Sequence, residues 1–330
     1  MSEQTPQYRL SEQAVSLVAH ISEAVGRLSV QLDRRALRLR RINRIRTVHG
    51  SLAIEGNTLT EQQITAVLEG KPVVAPPREV QEVRNALSTY EQMSEWDPLS
   101  EAHLLDAHRV LMRGLLDVPG SYRQNAAGVM GREGVVHVAP PADRVPFQMQ
   151  SLLAWLSATG AHPLVASSVF HYEFEFIHPF EDGNGRLGRL WQTLILSRWN
   201  PVFADLPVES LIYARQADYY EALNLSTDQA DCVPSIDFML AVIHEAIEGA
   251  VVPVTETKDG LAERLADGLA ESQQKIIRLV LEDHKISKRK MAESLGISST
   301  AVDKNISVLK AKGLLRRVGP DRGGEWEIIG

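Results

Sequence analysis

Residues 178 to 189 read His178-Pro179-Phe180-Glu181-Asp182-Gly183-Asn184-Gly185-Arg186-Leu187-Gly188-Arg189, and the apolar run Leu190 to Leu196 follows directly. Gly183 and Gly185 permit backbone conformations closed to other residues, so consecutive N–H groups can curl around an anion. The apolar run supplies a helix whose N-terminus adds partial positive charge at the same place. The fold must therefore carry a phosphate-sized cradle on a helix start. A helix terminus contributes only about 0.3–1 kcal/mol toward an anion, too little to hold a triphosphate. Arg186 and Arg189, three apart, can face the same oxygens with fork geometry. Asp182 is a hard oxygen ligand suited to Mg2+ bridging phosphates. His178 stands just before the loop, where an imidazole can accept a proton from an incoming hydroxyl at neutral pH.

The rest of the chain predicts a mostly α protein. Apolar residues recur at helical spacing, as at Leu28, Leu32, Leu39 and Ile42, while alternating β-branched runs are scarce. The exception is Gly128 to Val138, where apolar residues flank Gly131-Arg132-Glu133-Gly134 as in a short hairpin. Segments 70–77 and 139–146 read as loops between helices. With 330 residues and 44% apolar content, one large domain and a small one can each bury a core. The single cysteine, Cys232, excludes an intrachain disulfide, and Met1 to Gln7 lacks the features of a secretory signal. The apolar stretch 237–254 is interrupted by His244, Glu245 and Glu248, so it reads as a buried helix and not as a membrane span. A cytoplasmic protein is expected.

The polar stretch from Val251 to Gly260 is the candidate linker. Beyond it, helices are expected over 272–282, 287–295 and 298–312, then strands around 314–318 and 325–329 joined by a turn-rich Gly319 to Gly324. That order is the winged-helix order. From Ser272 to Arg322 there are 12 Lys/Arg against 5 Asp/Glu, within a chain of net charge −7. The basic character is local to this region.

The segment from His178 to Arg189 resembles the signature of Fic-domain proteins, His-Pro-Phe-x-Asp/Glu-Gly-Asn-Gly-Arg-x-x-Arg, without departure. The resemblance implies a helical Fic core with a β-hairpin flap and transfer of AMP from Mg2+-ATP to a protein hydroxyl. It implies His178 as base, Asp182 as metal ligand and Phe180 as packing for the loop. Asn184 and the Gly183 and Gly185 backbone would hold the α- and β-phosphates, Arg186 would assist, and Arg189 would bind the γ-phosphate. Pro119 to Arg123 and the hairpin after it resemble the flap, placed at about 124–138, which pairs with an extended target segment. Ser51-Leu52-Ala53-Ile54-Glu55-Gly56-Asn57 resembles the family's inhibitory motif. Ser51 and Glu55 share a helix face, Gly56 can end that helix, and Glu55 can point at Arg189.

The expected organisation is an N-terminal helical region over 1–110 with the inhibitory helix around 51–57, a catalytic core over 111–252, a linker over 253–270 and a winged helix over 271–330. Expected partners are a target protein offering a Ser, Thr or Tyr hydroxyl, and the chain itself as a substrate. The same inhibitory glutamate can also help remove AMP, and a homodimer stays open. Tyr213 and Tyr219 to Leu223 resemble the part that lines the adenine pocket, but helical spacing places Tyr220 equally well in a core. His171 and Glu175 are read as structural, and the arginines between positions 34 and 46 as a solvated helix face or an anion-binding surface. A second reading is a DNA-binding regulator acting through the winged helix, with Ser299, Thr300, Lys304 and Ser307 toward the nucleic acid.

Overall fold

The computed structural model describes residues 6, 8–31, 36–131, 134–251, 269–312, 314–318 and 325–328. The chain divides into two compact units at Val251. In the first, helix α1 spans Glu12–Gln31, α2 Ala36–Ile54, α3 Glu61–Leu68, α4 Pro77–Gln92 and α5 Glu101–Leu111. A hairpin of β1 (Gly128–Gly131) and β2 (Gly134–Val138) follows. Then come α6 (Val145–Ala158), α7 (Pro163–Ile177), α8 (Asn184–Trp199), α9 (Val208–Ala214), α10 (Gln216–Gln229) and α11 (Val233–Val251).

Helices α7, α8 and α11 form the centre, each burying an apolar face. Phe170, Phe174, Leu187, Trp191, Leu194, Met239, Leu240 and Ile243 have no more than trace exposure. α11 packs on α1, α7 and α10, whereas α2 packs on α9, α4 and the start of α8. The approach of α2 to α9 depends on Gly50, where a Cβ would stand 2.6 Å from the Glu209 carbonyl and the Ser210 nitrogen. α2 ends as the sequence predicts: Gly56 takes φ 90°, and Asn57 N returns to Leu52 O at 3.1 Å. The loop expected over 139–146 is shorter, since a 3-10 turn at Ala142–Arg144 leads into α6 and Pro146 occupies its first turn.

The flap strands pair antiparallel, Gly128 with Val138 and Gly131 with Gly134, with an irregularity between Val129 and Met130. The expected turn residues 132 and 133 lie outside the described residues. So does most of the linker, 252–268.

The second unit contains α12 (Glu271–Glu282), α13 (Lys288–Leu295), α14 (Ser299–Ala311), β3 (Leu315–Val318) and β4 (Glu325–Ile328). Ser287 and Ser298 cap α13 and α14 by accepting from Lys290 N and Ala301 N. Ile276, Ile277, Val280, Met291, Val302, Leu309 and Trp326 make its core. Trp326 donates its indole to Ile286 O at 3.0 Å and its backbone N–H to His284 O at 2.7 Å, which ties the wing to the loop after α12. The turn 319–324 lies outside the described residues.

Candidate active site

His178 caps the C-terminus of α7 in the left-handed region, φ 49° and ψ 62°. The following Pro179 disfavours continuation of the helix. Such a conformation in a residue other than glycine costs free energy and persists only where the surroundings hold it. Arg123 does so. Its Nε donates to His178 O at 2.8 Å, its backbone N–H donates to Pro179 O at 3.0 Å, and its Nη2 reaches Ile177 O. The same guanidinium donates to Asn125 O and Pro140 O, which flank the hairpin. One buried side chain thus orients the histidine turn and both ends of the flap.

The cradle is built around Asn184, whose amide donates to Phe180 O at 2.9 Å and accepts from Phe180 N at 2.8 Å. Its side chain is consumed in closing the loop. Gly183 is the left-handed residue, φ 86°, packed on Met112 Sδ. Gly185 departs from its expected conformational role. It is helical, and a Cβ there would press on Glu55 Oε1 beside Arg189, so a larger residue would have to displace that carboxylate. No side chain caps the first turn of α8.

Asp182 and Arg186 pair at 2.7 Å, and Asp182 Oδ1 also accepts from Gly183 N at 2.6 Å. Two residues of α4 join them: Arg78 donates to Asp182 Oδ2 at 3.1 Å, and Glu82 lies 3.8 Å from Arg186. A third of the Asp182 side chain remains exposed. No group of three or more metal-ligating side chains occurs among the described residues. One reachable carboxylate beside an anion cradle suits a Mg2+ ion that takes its other ligands from phosphates and water.

Arg189 is almost fully buried and donates from Nη2 to Glu55 Oε1 at 2.8 Å and to Ser51 O at 2.9 Å. Burial disfavours its charge, but the carboxylate of Glu55 outweighs that and raises the guanidinium pKa. Ser51 meets Arg189 through its carbonyl, since its hydroxyl faces Tyr90. The end of α2 is held by α10, where Gln216 donates to Ile54 O at 2.7 Å and Tyr220 OH lies 3.4 Å from the same oxygen. Tyr220 is therefore half-exposed beside the Glu55 turn, Tyr219 is buried against His171, and Tyr213 stands edge-on to His49.

Beneath Arg189, burial pushes Glu175 up to about 8 and His171 down to about 3, so both are neutral at neutral pH. Gly188 gives Glu175 Oε1 its place, 2.6 Å from where a Cβ would stand. Of the described arginines between positions 34 and 46, Arg40 pairs with Asp205 and Arg41 with Glu69.

Sequence reasoning missed His108 and the work of Arg123, Arg78 and Glu82. His108 stacks on Phe180 with centroids 3.7 Å apart, accepts from Gly120 N at Nδ1 and so donates from Nε2 to Asp182 O at 3.0 Å. Burial holds it neutral, with a pKa lowered to about 4. It lies 74 positions before Asp182, and no local pattern marks a histidine for that contact.

A family model described as Fic/DOC family matches residues 98–196, and one described as winged helix-turn-helix DNA-binding matches 269–316. Protein adenylyltransferase Fic of Nematostella vectensis is 30% identical over 222 residues, 63% of this chain and 49% of that protein. Protein adenylyltransferase fic-1 of Caenorhabditis elegans is 26% identical over 226 residues, 65% of this chain and 42% of that protein. The chain thus spans less than half the length of these curated relatives. A solved Fic family protein from Desulfovibrio desulfuricans G20 is 45% identical, with TM-score 0.74, covering 99% of this chain and 98% of that one. A fragment of Fic-1 from C. elegans shares the fold at 21% identity and TM-score 0.57, over 73% of this chain and 71% of that one.

Proposed function

Since the chain belongs to the Fic family, we propose that it is a protein adenylyltransferase that moves AMP from ATP to a hydroxyl of a target protein and of itself, under restraint from Glu55. What supports the reading is that His178 ends α7 just before the loop while Asp182, Arg186 and Arg189 lie at the start of α8, whose first turn has no side-chain cap.

In the proposed reaction the target hydroxyl oxygen forms a bond to the α-phosphorus while the bond from that phosphorus to the pyrophosphate oxygen breaks. His178 takes the hydroxyl proton, and pyrophosphate leaves. The backbone of residues 183–185 and the Arg186 guanidinium hold the α- and β-phosphates, and Arg189 anchors the γ-phosphate once it parts from Glu55. Asp182 would hold Mg2+, which neutralises charge developing on the leaving group. The flap would align an extended target segment by backbone pairing, which explains how a hydroxyl is presented with little side-chain selection. Glu55, beside the start of α8, would also orient water for removing AMP.

Incubation with Mg2+ and ATP labelled in the α-phosphate tests the reading. Covalent label must appear on the protein or a target, and His178→Ala must cut it by about 10²–10⁴ while ATP still binds. Retention of more than about a tenth of the rate in the variant removes His178 as the base.

A second reading is favoured by the match to a DNA-binding winged helix: the second unit contacts DNA. Ser299, Thr300, Lys304 and Ser307 lie on α14, the helix that would enter a groove, and all four are exposed. Binding that weakens steeply with salt, in the isolated absence of ATP, is the expected signature.

A further inference from the structure

The carbonyls of the loop that leads into α8 are held one by one. Arg123 takes those of Ile177 and His178 with its guanidinium and that of Pro179 with its backbone N–H, and Asn184 takes that of Phe180. The carbonyl of Asp182 goes to Nε2 of His108, on α5, at 3.0 Å.

This last bond matters most because the next residue is Gly183. A peptide unit can turn over when ψ of one residue and φ of the next change together, while the chain on either side stays in place. Gly183 has φ 86°, and turning the Asp182–Gly183 peptide over would bring it to roughly −90°, which is also allowed. Glycine populates both signs of φ about equally, so the backbone alone does not choose between the two orientations. The contact with His108 does.

In a trans peptide the C=O and the following N–H point in opposite directions. With the Asp182 carbonyl tied to His108, the Gly183 N–H faces the Asp182 carboxylate, which accepts it at 2.6 Å. The turned-over peptide would instead set a partly negative carbonyl oxygen on the side of that carboxylate. Metal and phosphates would gather there, so the orientation of this one dipole bears on how well they are held.

His108 is suited to the task. It is fully buried, and its ring stacks on Phe180 with the planes 9° apart. Nδ1 accepts from Gly120 N at 2.8 Å, so Nε2 carries the proton. The other tautomer would turn a lone pair toward the Asp182 carbonyl.

We infer that His108 is a positioning residue for the polyphosphate of the nucleotide: its Nε2–H fixes the Asp182–Gly183 peptide with the Gly183 N–H toward the site. The inference rests on the reading of this loop as the ATP site.

Two substitutions separate positioning from packing. His108→Gln places an amide N–H near where Nε2 stands but has no ring to stack on Phe180. His108→Phe keeps a ring for the stack and has no donor. Equilibrium titration with Mg2+-ATP, on the full chain in a His178→Ala background that stops turnover, should find His108→Phe weakened by about 2- to 12-fold, the loss of one neutral hydrogen bond. His108→Gln should bind more tightly than His108→Phe. A residue that only packs on Phe180 gives the reverse order, whatever the thermal midpoints. ATP affinity in His108→Phe equal to the parent, or better than in His108→Gln, overturns the inference. Nitrogen NMR of the histidine-labelled parent needs no substitution at 108 and must show the proton on Nε2 of His108; a proton on Nδ1 overturns the inference even if neither variant folds. A parent that does not bind ATP removes the nucleotide reading and this inference with it. A chain that binds ATP with the expected ranking but transfers no AMP removes only the proposed reaction.

Discussion

Arg189 Nη2 donates to Glu55 Oε1 at 2.8 Å across 134 residues of sequence, and the guanidinium is 1% exposed while the carboxylate is 31% exposed. The arginine is packed in place on α8, but the glutamate side chain, just past the end of α2 with Gly56 behind it, is open to solvent on one side and can swing away. The mobile member of the pair is therefore the acid.

Replacing Glu55 should release the arginine for phosphate. Glu55→Gly is expected to raise self-modification on the order of a hundredfold, a bias of only about 2.7 kcal/mol. Adding Arg189→Ala should erase the gain, because the anchor is gone. Rates of AMP transfer and AMP removal, measured separately with and without Glu55, check this. Unchanged rates for both in Glu55→Gly return Glu55 to a structural role.

Arg78 and a metal ion would compete for Asp182 Oδ2, since Arg78 donates to it from 3.1 Å. The arginine is largely exposed, and exposed ion pairs are worth ~0.2–1 kcal/mol. Arg78→Ala should therefore lower the Mg2+ concentration for half-maximal transfer by roughly 1.5- to 5-fold. Asp182→Ala should abolish the response to Mg2+. A metal titration of both variants decides, and an unaltered curve for Asp182→Ala excludes that carboxylate from the site.

Gly50→Ala should destabilise the first unit, because the added Cβ meets backbone atoms of Glu209 and Ser210 at 2.6 Å and not a side chain that can turn aside. Overpacking of this kind costs about 1–3 kcal/mol, or roughly 2–4 °C of melting midpoint per kcal/mol. Gly26→Ala, in α1 with nothing within 4 Å of the new methyl, should be neutral or stabilising. Parallel thermal melts compare the two.

The buried titratable groups set a pH optimum for stability. His108 and His171 bind protons in the unfolded chain from pH 6.5 downward but in the fold only near 4 and 3, so acid destabilises. Glu173 and Glu175 release protons in the unfolded chain near 4.5 but in the fold only near 7 and 8, so rising pH destabilises through that window. Between about 4.5 and 6.5 the two pairs oppose each other. Unfolding free energy of the first unit should be flat there and fall on both sides, by ~1.4 kcal/mol per pH unit for each proton exchanged. Denaturant titrations from pH 3.5 to 8.5 measure it, and stability still rising above pH 7 contradicts the placement of the two glutamates.

Features that depend on a few neighbouring residues could be read directly from the chain. The stop of α2 at Gly56, the left-handed Gly183, the serine caps of α13 and α14 and the hairpin at 128–138 each follow from local backbone preferences that tertiary packing did not override. Three matters were settled only by the packed structure. Asn184 spends its amide on Phe180, Gly185 lies against the Glu55 carboxylate, and Arg123 and His108 hold the loop from 55 and 74 positions away. Local sequence encodes the torsions a residue can adopt. Which side chains then meet is decided by how α2, α4, α5 and α8 come together, and that depends on the whole core at once. A buried arginine or an unpaired glutamate takes its chemistry from those neighbours, not from the residues beside it in the chain.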